Sequence, residues 1–291
     1  MSSKHHSPDA VTDGLRAGVI GLGMIGGSVA RALVARNRPL AVYDVRQDAS
    51  ASLPGVPAQL SSPAKVAGVS DVVFVAVVDA NQARSALQGP DGILSAAPAG
   101  MVVVLMSTVS LEAVRELAAL CATADVTLLD CGVTTTTIDP TRKIVAMLGG
   151  DETTVARVLP VLDDAAAGVV YCGPLGAGMA TKIARNVITY GSWRVVDEAS
   201  RLLEAYGASP RNLIEVISTS DPTGRTLLTP LGLRDGEEAM TPERIAYIMG
   251  LLHKDLAAAR DLATEVGVAL PLTELTDATA EQIFDFAKTS R

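Results

Sequence analysis

Six residues near the start, Gly21-Leu22-Gly23-Met24-Ile25-Gly26, limit the folds open to this chain more than any other stretch. They close a short apolar run, Ala17-Gly18-Val19-Ile20, and lead into Ser28 to Arg36, where Val29, Leu33 and the intervening alanines form a helical stripe. Pro39 ends that segment, and Leu40-Ala41-Val42-Tyr43-Asp44 reads as a second strand. Strand, glycine loop, helix, strand, with an acid roughly 20 residues beyond the loop, is the pattern of a βαβ unit that cradles a dinucleotide pyrophosphate.

The residues divide the work. Gly21 permits the tight turn, Gly23 lets the backbone approach the pyrophosphate, and Gly26 lets the helix pack on the strand. Met24 and Ile25 complete the loop, and the helix start behind them faces the phosphates. Asp44 is suited to accept hydrogen bonds from the adenosine ribose hydroxyls and to repel a 2′-phosphate, which favours NAD. Arg46, two residues on, is suited to accommodate that phosphate, so NADP stays open.

The alternation continues past this unit. Asp71–Val78 is apolar almost throughout, as a central parallel strand covered on both faces requires. Gln82–Leu87 reads as a short helix, Met101–Met106 as a strand, Leu111–Cys121 as a helix and Val126–Asp130 as a strand. Lys143–Leu148 and Val169–Cys172 extend the sheet, with a helix over Thr153–Leu162 between them. The expected first domain is a doubly wound α/β unit over residues 17–173. Ligands in such sheets sit beyond the carboxyl ends of the strands. Val78, Ser107-Thr108 and Thr134-Thr135-Thr136 are therefore candidate lining residues. The threonine run offers hydroxyls and consecutive N–H groups suited to a carboxylate; it equally suits a loop held by its own side-chain hydrogen bonds.

The second half, 174–291, reads as all-helical. After Pro174 an apolar stripe runs through Ile183, Val187, Ile188, Val195, Leu202 and Tyr206, and Gly207 supplies the stop. The glycine-, proline- and charge-rich stretch 221–238 reads as a loop or broken helix. Lys182 and Asn186, four apart, share a face near the start of the long helix, with Arg185 adjacent. A lysine there can take the proton that an alcohol releases as its hydride departs, and burial would lower its pKa toward the working range. Taken alone, a helical lysine is more often a solvated charge.

Composition narrows the partners. A net charge of −8 and 3% aromatic residues disfavour nucleic acid, which needs basic patches and stacking rings. No uninterrupted apolar stretch reaches the length of a membrane span. Residues 1–16 are polar and lack the apolar core of a signal peptide, so they read as a disordered lead-in to a cytoplasmic protein. Cys121, Cys131 and Cys172 are scattered without metal-ligand spacing, and no metal site is expected. His5 and His6 read as solvated tail residues, and His253 as structural rather than functional.

Several motifs now stand in one order: the glycine loop, Met106-Ser107-Thr108, Met147-x-Gly149-Gly150, Gly176-Ala177-Gly178-x-x-x-Lys182-x-x-x-Asn186, Glu198-Ala199, Lys254-Asp255-Leu256 and Gly267-x-x-Leu270-Pro271-Leu272. Jointly they resemble the β-hydroxyacid dehydrogenase family, typified by 3-hydroxyisobutyrate dehydrogenase, from about Ala17 to Phe284. The resemblance implies a Rossmann-type domain followed by a helical domain, and reversible NAD(P)-linked oxidation of a short 3-hydroxy acid. It implies Lys182 as general acid/base with Asn186 beside it, Lys254 near cofactor and substrate, and Thr108 near the nicotinamide. Homodimers or homotetramers built through the helical half are implied as well. An imine reductase or a non-catalytic nucleotide-binding relative are the alternatives; Lys182 speaks against both. One departure stands out. Where the family usually has Asp-Ala-Pro-Val-Ser-Gly-Gly, this chain has Asp130-Cys131-Gly132-Val133-Thr134-Thr135-Thr136, with two glycines replaced by β-branched residues. Arg185 likewise replaces a common asparagine. An altered substrate with an extra anionic group facing Arg185 is the expectation.

Overall fold

The computed structural model describes residues 14–136, 139, 141–235 and 240–285. The expected lead-in therefore lies largely outside the described residues, as does the end of the 221–238 stretch. Two compact units divide the chain, residues 1–186 and 187–291.

The first unit is built on a seven-stranded sheet of order β2-β1-β3-β4-β5-β6-β7. Its strands are β1 (Ala17–Ile20), β2 (Leu40–Tyr43), β3 (Val72–Val75), β4 (Val102–Leu105), β5 (Thr127–Thr135), β6 (Ile144–Gly149) and β7 (Gly168–Gly173). Neighbours from β2 to β5 run parallel, β6 is antiparallel to β5, and β7 is parallel to β6. Successive side chains on a strand point to opposite faces, and both faces here are covered. Val72, Phe74, Val102 and Val104 belong to one apolar cluster; Val73, Val75, Val103 and Leu105 belong to the other. The helices that cover them are α1 (Met24–Ala35), α2 (Pro63–Ala67), α3 (Ala80–Leu87), α4 (Leu111–Ala122) and α5 (Glu152–Ala165). The doubly wound α/β expectation holds.

Among the differences from the sequence reading, two have a plain physical reason. The strand expected to stop at Asp130 runs on to Thr135, pairing from Asp130↔Gly149 to Thr135↔Ile144. Val133, Thr134 and Thr135 are β-branched, and β6 offers them an antiparallel ladder, so the threonines begin in a strand rather than a loop. The short helix α2 was not expected. At five residues it has no periodicity to read, although Ser62 caps it by accepting a hydrogen bond from the Lys65 N–H, and Pro63 opens it.

The helix α6 (Ala177–Tyr206) begins in the first unit and continues into the second. The second unit then holds α7 (Arg211–Ser220), α8 (Thr229–Asp235), α9 (Pro242–Val266) and α10 (Pro271–Ala278), and no strand among its described residues. Gly207 stops α6 at a positive φ of 88°, as expected of a glycine beyond a helix end. Around Asp221 the broken-helix reading is met by a short 3-10 turn and α8. The core of this unit is small: Met249, Ala280 and Phe284 are its buried cluster. No helix among the described residues is long and apolar enough to cross a membrane.

Candidate active site

The glycine loop takes the shape its sequence requires. Gly21 has φ +89°, where a side chain is strained, and a Cβ there would strike the Ala76 carbonyl. At Gly26 a Cβ would strike the carbonyl of Gly21 itself. By contrast a Cβ on Gly23 would meet nothing within 4 Å, so backbone there faces open space. Ser62, Asp79, Ser110 and Asp151 cap α2, α3, α4 and α5 with their side chains. At α1 the N-cap is Gly23, with no side-chain cap and no acid in the first turn. First-turn N–H groups without a partner are an anion site in waiting, and they fit a pyrophosphate.

A cavity of about 770 Å³ opens beside this loop, lined by Gly21, Gly23, Asp44, Val45, Arg46, Val77 and Val78, with Gln82 and the 88–92 turn on its far side. Asp44 is buried and heavily engaged. The Leu22 N–H donates to its Oδ2 at 2.6 Å, the Arg46 N–H to its Oδ1 at 2.9 Å, and Arg46 Nε to Oδ1 at 3.1 Å. Burial pulls the Asp44 carboxyl upward, but the hydrogen bonds from Arg46 and Leu22 together with the Arg46 charge outweigh it and hold the group below its ordinary value. The Arg46 side chain is itself largely exposed. Acid and base thus stand as a neutral pair at the end of β2, where the sequence reading expects the ribose.

Beyond β3 and β4 the buried Ser107 hydroxyl donates to the Val77 carbonyl at 2.7 Å and accepts from the Val77 N–H at 3.0 Å. Next along, the Val78 N–H donates to Gln82 Oε1 at 3.1 Å. Ser107 therefore ties two strand ends together and shapes the rim, while Thr108 beside it is exposed. Met24 is exposed and Ile25 and Gly26 sit in the first turn of α1, behind the cavity wall.

Lys182 lies on the second turn of α6, half-buried, against β5: the space a Gly132 Cβ would need is taken by the Lys182 Cβ. Burial lowers the Lys182 pKa, and the nearby Arg185 charge lowers it further. Asn186 is half-buried one turn along and Arg185 is exposed. Because side chains alternate along a strand, Thr134 and Thr136 share the face of Gly132 and Thr135 takes the other, where it is exposed. Lys182, Thr134 and Thr136 thus come to one side of the sheet, and Thr135 does not join them. Lys254 is an exposed residue of α9 in the second unit, 3.2 Å from Asp255.

Sequence reasoning quoted Asp130 within the family motif but gave it no role. Its carboxylate is fully buried at the end of the shared β4–β5 register and accepts from the Gly176 N–H at 2.6 Å and the Met179 N–H at 2.7 Å. The available signal was the glycine spacing Gly176-x-Gly178, which allows a helix start to approach a strand closely. Among the described residues no cluster of His, Cys, Asp and Glu has the makings of a metal site.

Comparison with known proteins agrees with this fold. A family model described as the NAD binding domain of 6-phosphogluconate dehydrogenase matches residues 16–176, and one described as NAD-binding of NADP-dependent 3-hydroxyisobutyrate dehydrogenase matches 176–290. The 2-(hydroxymethyl)glutarate dehydrogenase of Eubacterium barkeri is 30% identical over 275 residues, covering 93% of this chain and 88% of that protein. Human mitochondrial 3-hydroxyisobutyrate dehydrogenase is 30% identical over 275 residues, covering 92% and 80%. A solved structure from Mycobacterium avium 104, named only as an oxidoreductase, superposes with a TM-score of 0.80 at 29% identity, covering 91% of this chain and 97% of that one. Matched over both halves and carrying the loop, cavity and lysine just described, the chain belongs to the β-hydroxyacid dehydrogenase family of NAD(P)-dependent oxidoreductases.

Proposed function

We propose that the protein oxidises a short 3-hydroxy acid reversibly, with NAD as the preferred cofactor and Lys182 as the group that carries the hydroxyl proton. The observation that carries this reading is Lys182 itself, half-buried on the same side of the sheet as Thr134 and with its pKa lowered by burial. The bound nicotinamide supplies a hydride acceptor. Lys182, as the free amine, accepts the alcohol proton as the C–H bond breaks, and as ammonium returns it in the reverse direction. Asn186 orients the hydroxyl, Thr134 and Thr136 hold the carboxylate, and Lys254 and Thr108 serve the nicotinamide end. Asp44 receives the ribose hydroxyls once Arg46 yields its place.

Arg185 tunes the substrate. It stands one residue short of Asn186 and favours a second anionic group on the hydroxy acid. The Eubacterium barkeri relative is named for such a diacid, 2-(hydroxymethyl)glutarate. We further read the exposed apolar residues of the helical unit, Val187, Tyr190 and Trp193 on α6 and Ile214 and Ile217 on α7, as the face that a second copy of the chain covers.

A panel of mono- and diacid 3-hydroxy acids, aldehydes and cyclic imines, assayed with NAD(H) and NADP(H) on wild type and Lys182→Ala, tests the reading. Turnover of hydroxy acids with NAD is expected in wild type and a loss of at least about a hundredfold in the variant. Hydroxy-acid turnover that survives in Lys182→Ala overturns the mechanism, and turnover of imines alone overturns the substrate class.

A further inference from the structure

Lys182 sits on a helix whose first turns are locked to the sheet by an unusual seat. Both oxygens of the buried Asp130 receive N–H groups from the start of α6, Gly176 at 2.6 Å and Met179 at 2.7 Å. No side chain of the helix's own lead-in does this work; the acid comes from β5, 46 residues earlier in the chain than Gly176. Three glycines make the approach possible. A Cβ on Gly149 would strike Asp130 Oδ1 and lie 2.7 Å from the Gly178 N. One on Gly178 would strike the Met147 carbonyl and lie 2.9 Å from the Asp130 carbonyl. One on Gly132 would strike the Lys182 Cβ and lie 2.6 Å from the Gly178 carbonyl.

Backbone is therefore held against backbone with no layer of side chains between. Hydrogen bonds to a carboxylate are about twice as strong as neutral ones, and a fully buried carboxylate with two aligned donors has little freedom to shift. The same strand that supplies Asp130 and Gly132 supplies Thr134 two residues on. Its register with the lysine helix consequently sets the distance between proton carrier and carboxylate-binding hydroxyl.

We propose that Asp130 is a positioning residue for Lys182: by pinning the first turn of α6 onto β5 at Gly132, it sets where the lysine amine stands relative to Thr134. The proposal rests on the reading of Lys182 as proton carrier. Misplacement of a reacting group by about 1 Å lowers rates by about a hundredfold, so loosening this seat should act on the chemical step. The glycine loop and Asp44 lie on the β1–β2 side of the sheet and should keep their affinity for NAD.

The test is a cycle of Asp130→Asn, Lys182→Ala and the double variant, with Gly132→Ala as an uncharged wedge in the same seat. For each, kcat is measured together with NAD affinity and binding stoichiometry by titration. Asp130→Asn and Gly132→Ala are expected to lower kcat by about ten- to hundredfold with NAD affinity within about twofold of wild type. On the Lys182→Ala background the Asp130 change should add nothing to the residual rate, because it acts through the lysine. A wild-type kcat in both single variants overturns the proposal. So does a loss of kcat matched by a loss of NAD-binding sites, or a full additional loss in the double variant, since either marks a role in folding alone. Should Asp130→Asn not fold, Gly132→Ala decides. An active Lys182→Ala enzyme would instead sink the reading of the lysine and is distinguishable from all of these.

Discussion

The two units of this chain use the same device in different surroundings. In each, a buried acid accepts N–H groups from the start of a helix far along the sequence: Asp130 for α6, and Glu198 for α10, where it accepts from Leu272 at 2.9 Å and Thr273 at 3.2 Å. Asp130 is set among close-packed glycines at the edge of two large apolar clusters. Glu198 shares its charge with Arg194 at 3.1 Å, in a unit whose buried cluster is small and whose surface shows Tyr190 and Trp193 in edge-to-face contact at 5.2 Å. The difference teaches that the first unit buries two large apolar clusters of its own, whereas the helical unit buries a small one, is tied by polar locks and leaves apolar side chains exposed.

One substitution in the first unit's core and one on the helical unit's exposed apolar face should separate the units most sharply. Phe74→Ala, in a fully buried site of β3, is expected to destabilise by about 3–5 kcal/mol in chemical denaturation. Trp193→Ala, largely exposed, should leave the stability of the single chain nearly unchanged; under the second-copy reading proposed above it should also lower the sedimenting mass to that of one chain and remove any concentration dependence of Tm. Equal losses of stability in both would erase the contrast.

A smaller effect is expected at the lock of the second unit. Glu198→Gln should destabilise by about 1.5–3 kcal/mol, as loss of charge-assisted hydrogen bonds does. Burial pushes the Glu198 carboxyl up, but the Leu272 and Thr273 donors and the Arg194 charge hold it below its ordinary 4.5. Its contribution is therefore complete above pH 4.5 and is lost as the pH falls through the lower, folded-state value. Thermal melts from pH 6 downward should show that slope in wild type and not in Glu198→Gln.

The smallest effect has the opposite sign. His253 Nδ1 lies 2.6 Å from Asp277 Oδ1, joining α9 to α10, and Asp277 also pairs with Arg260. The Asp277 hydrogen bond raises the His253 pKa against the opposing effect of desolvation, with the Asp277 and Glu281 charges adding to the rise. This stabilisation is complete below the ordinary 6.5 and fades as the pH rises through the raised value. His253→Gln should flatten a shallow decline in Tm above neutrality, and an unchanged slope would remove the residue from the set of locks.

Local features were readable from the residues and distant ones were not. The glycine loop, most of the strands and the Gly207 helix stop depend on neighbours a few positions away, and pattern alone placed them. Helical spacing put Lys182 and Asn186 on one face, and the family resemblance, not the spacing, gave them their expected roles. Asp130 escaped because its partners lie 46 and 49 residues away, and nothing in the local pattern distinguishes it from a strand-ending acid. The extension of β5 through the threonines depends likewise on β6, a strand whose antiparallel direction the apolar run does not encode. Arg46 was read as a possible phosphate ligand; the structure adds that its first partner is Asp44.

Among the helices of the first unit, α1 stands apart because no side chain closes its start. The anion that fits there is thermodynamically the missing cap of that helix, and its binding adds RT ln(1 + [L]/Kd) to the stability of the native state. At a hundred times Kd that amounts to about 2.7 kcal/mol, as much as the strongest polar lock considered above. The supply of nicotinamide dinucleotide would then govern how long the folded chain survives as well as how fast it turns over.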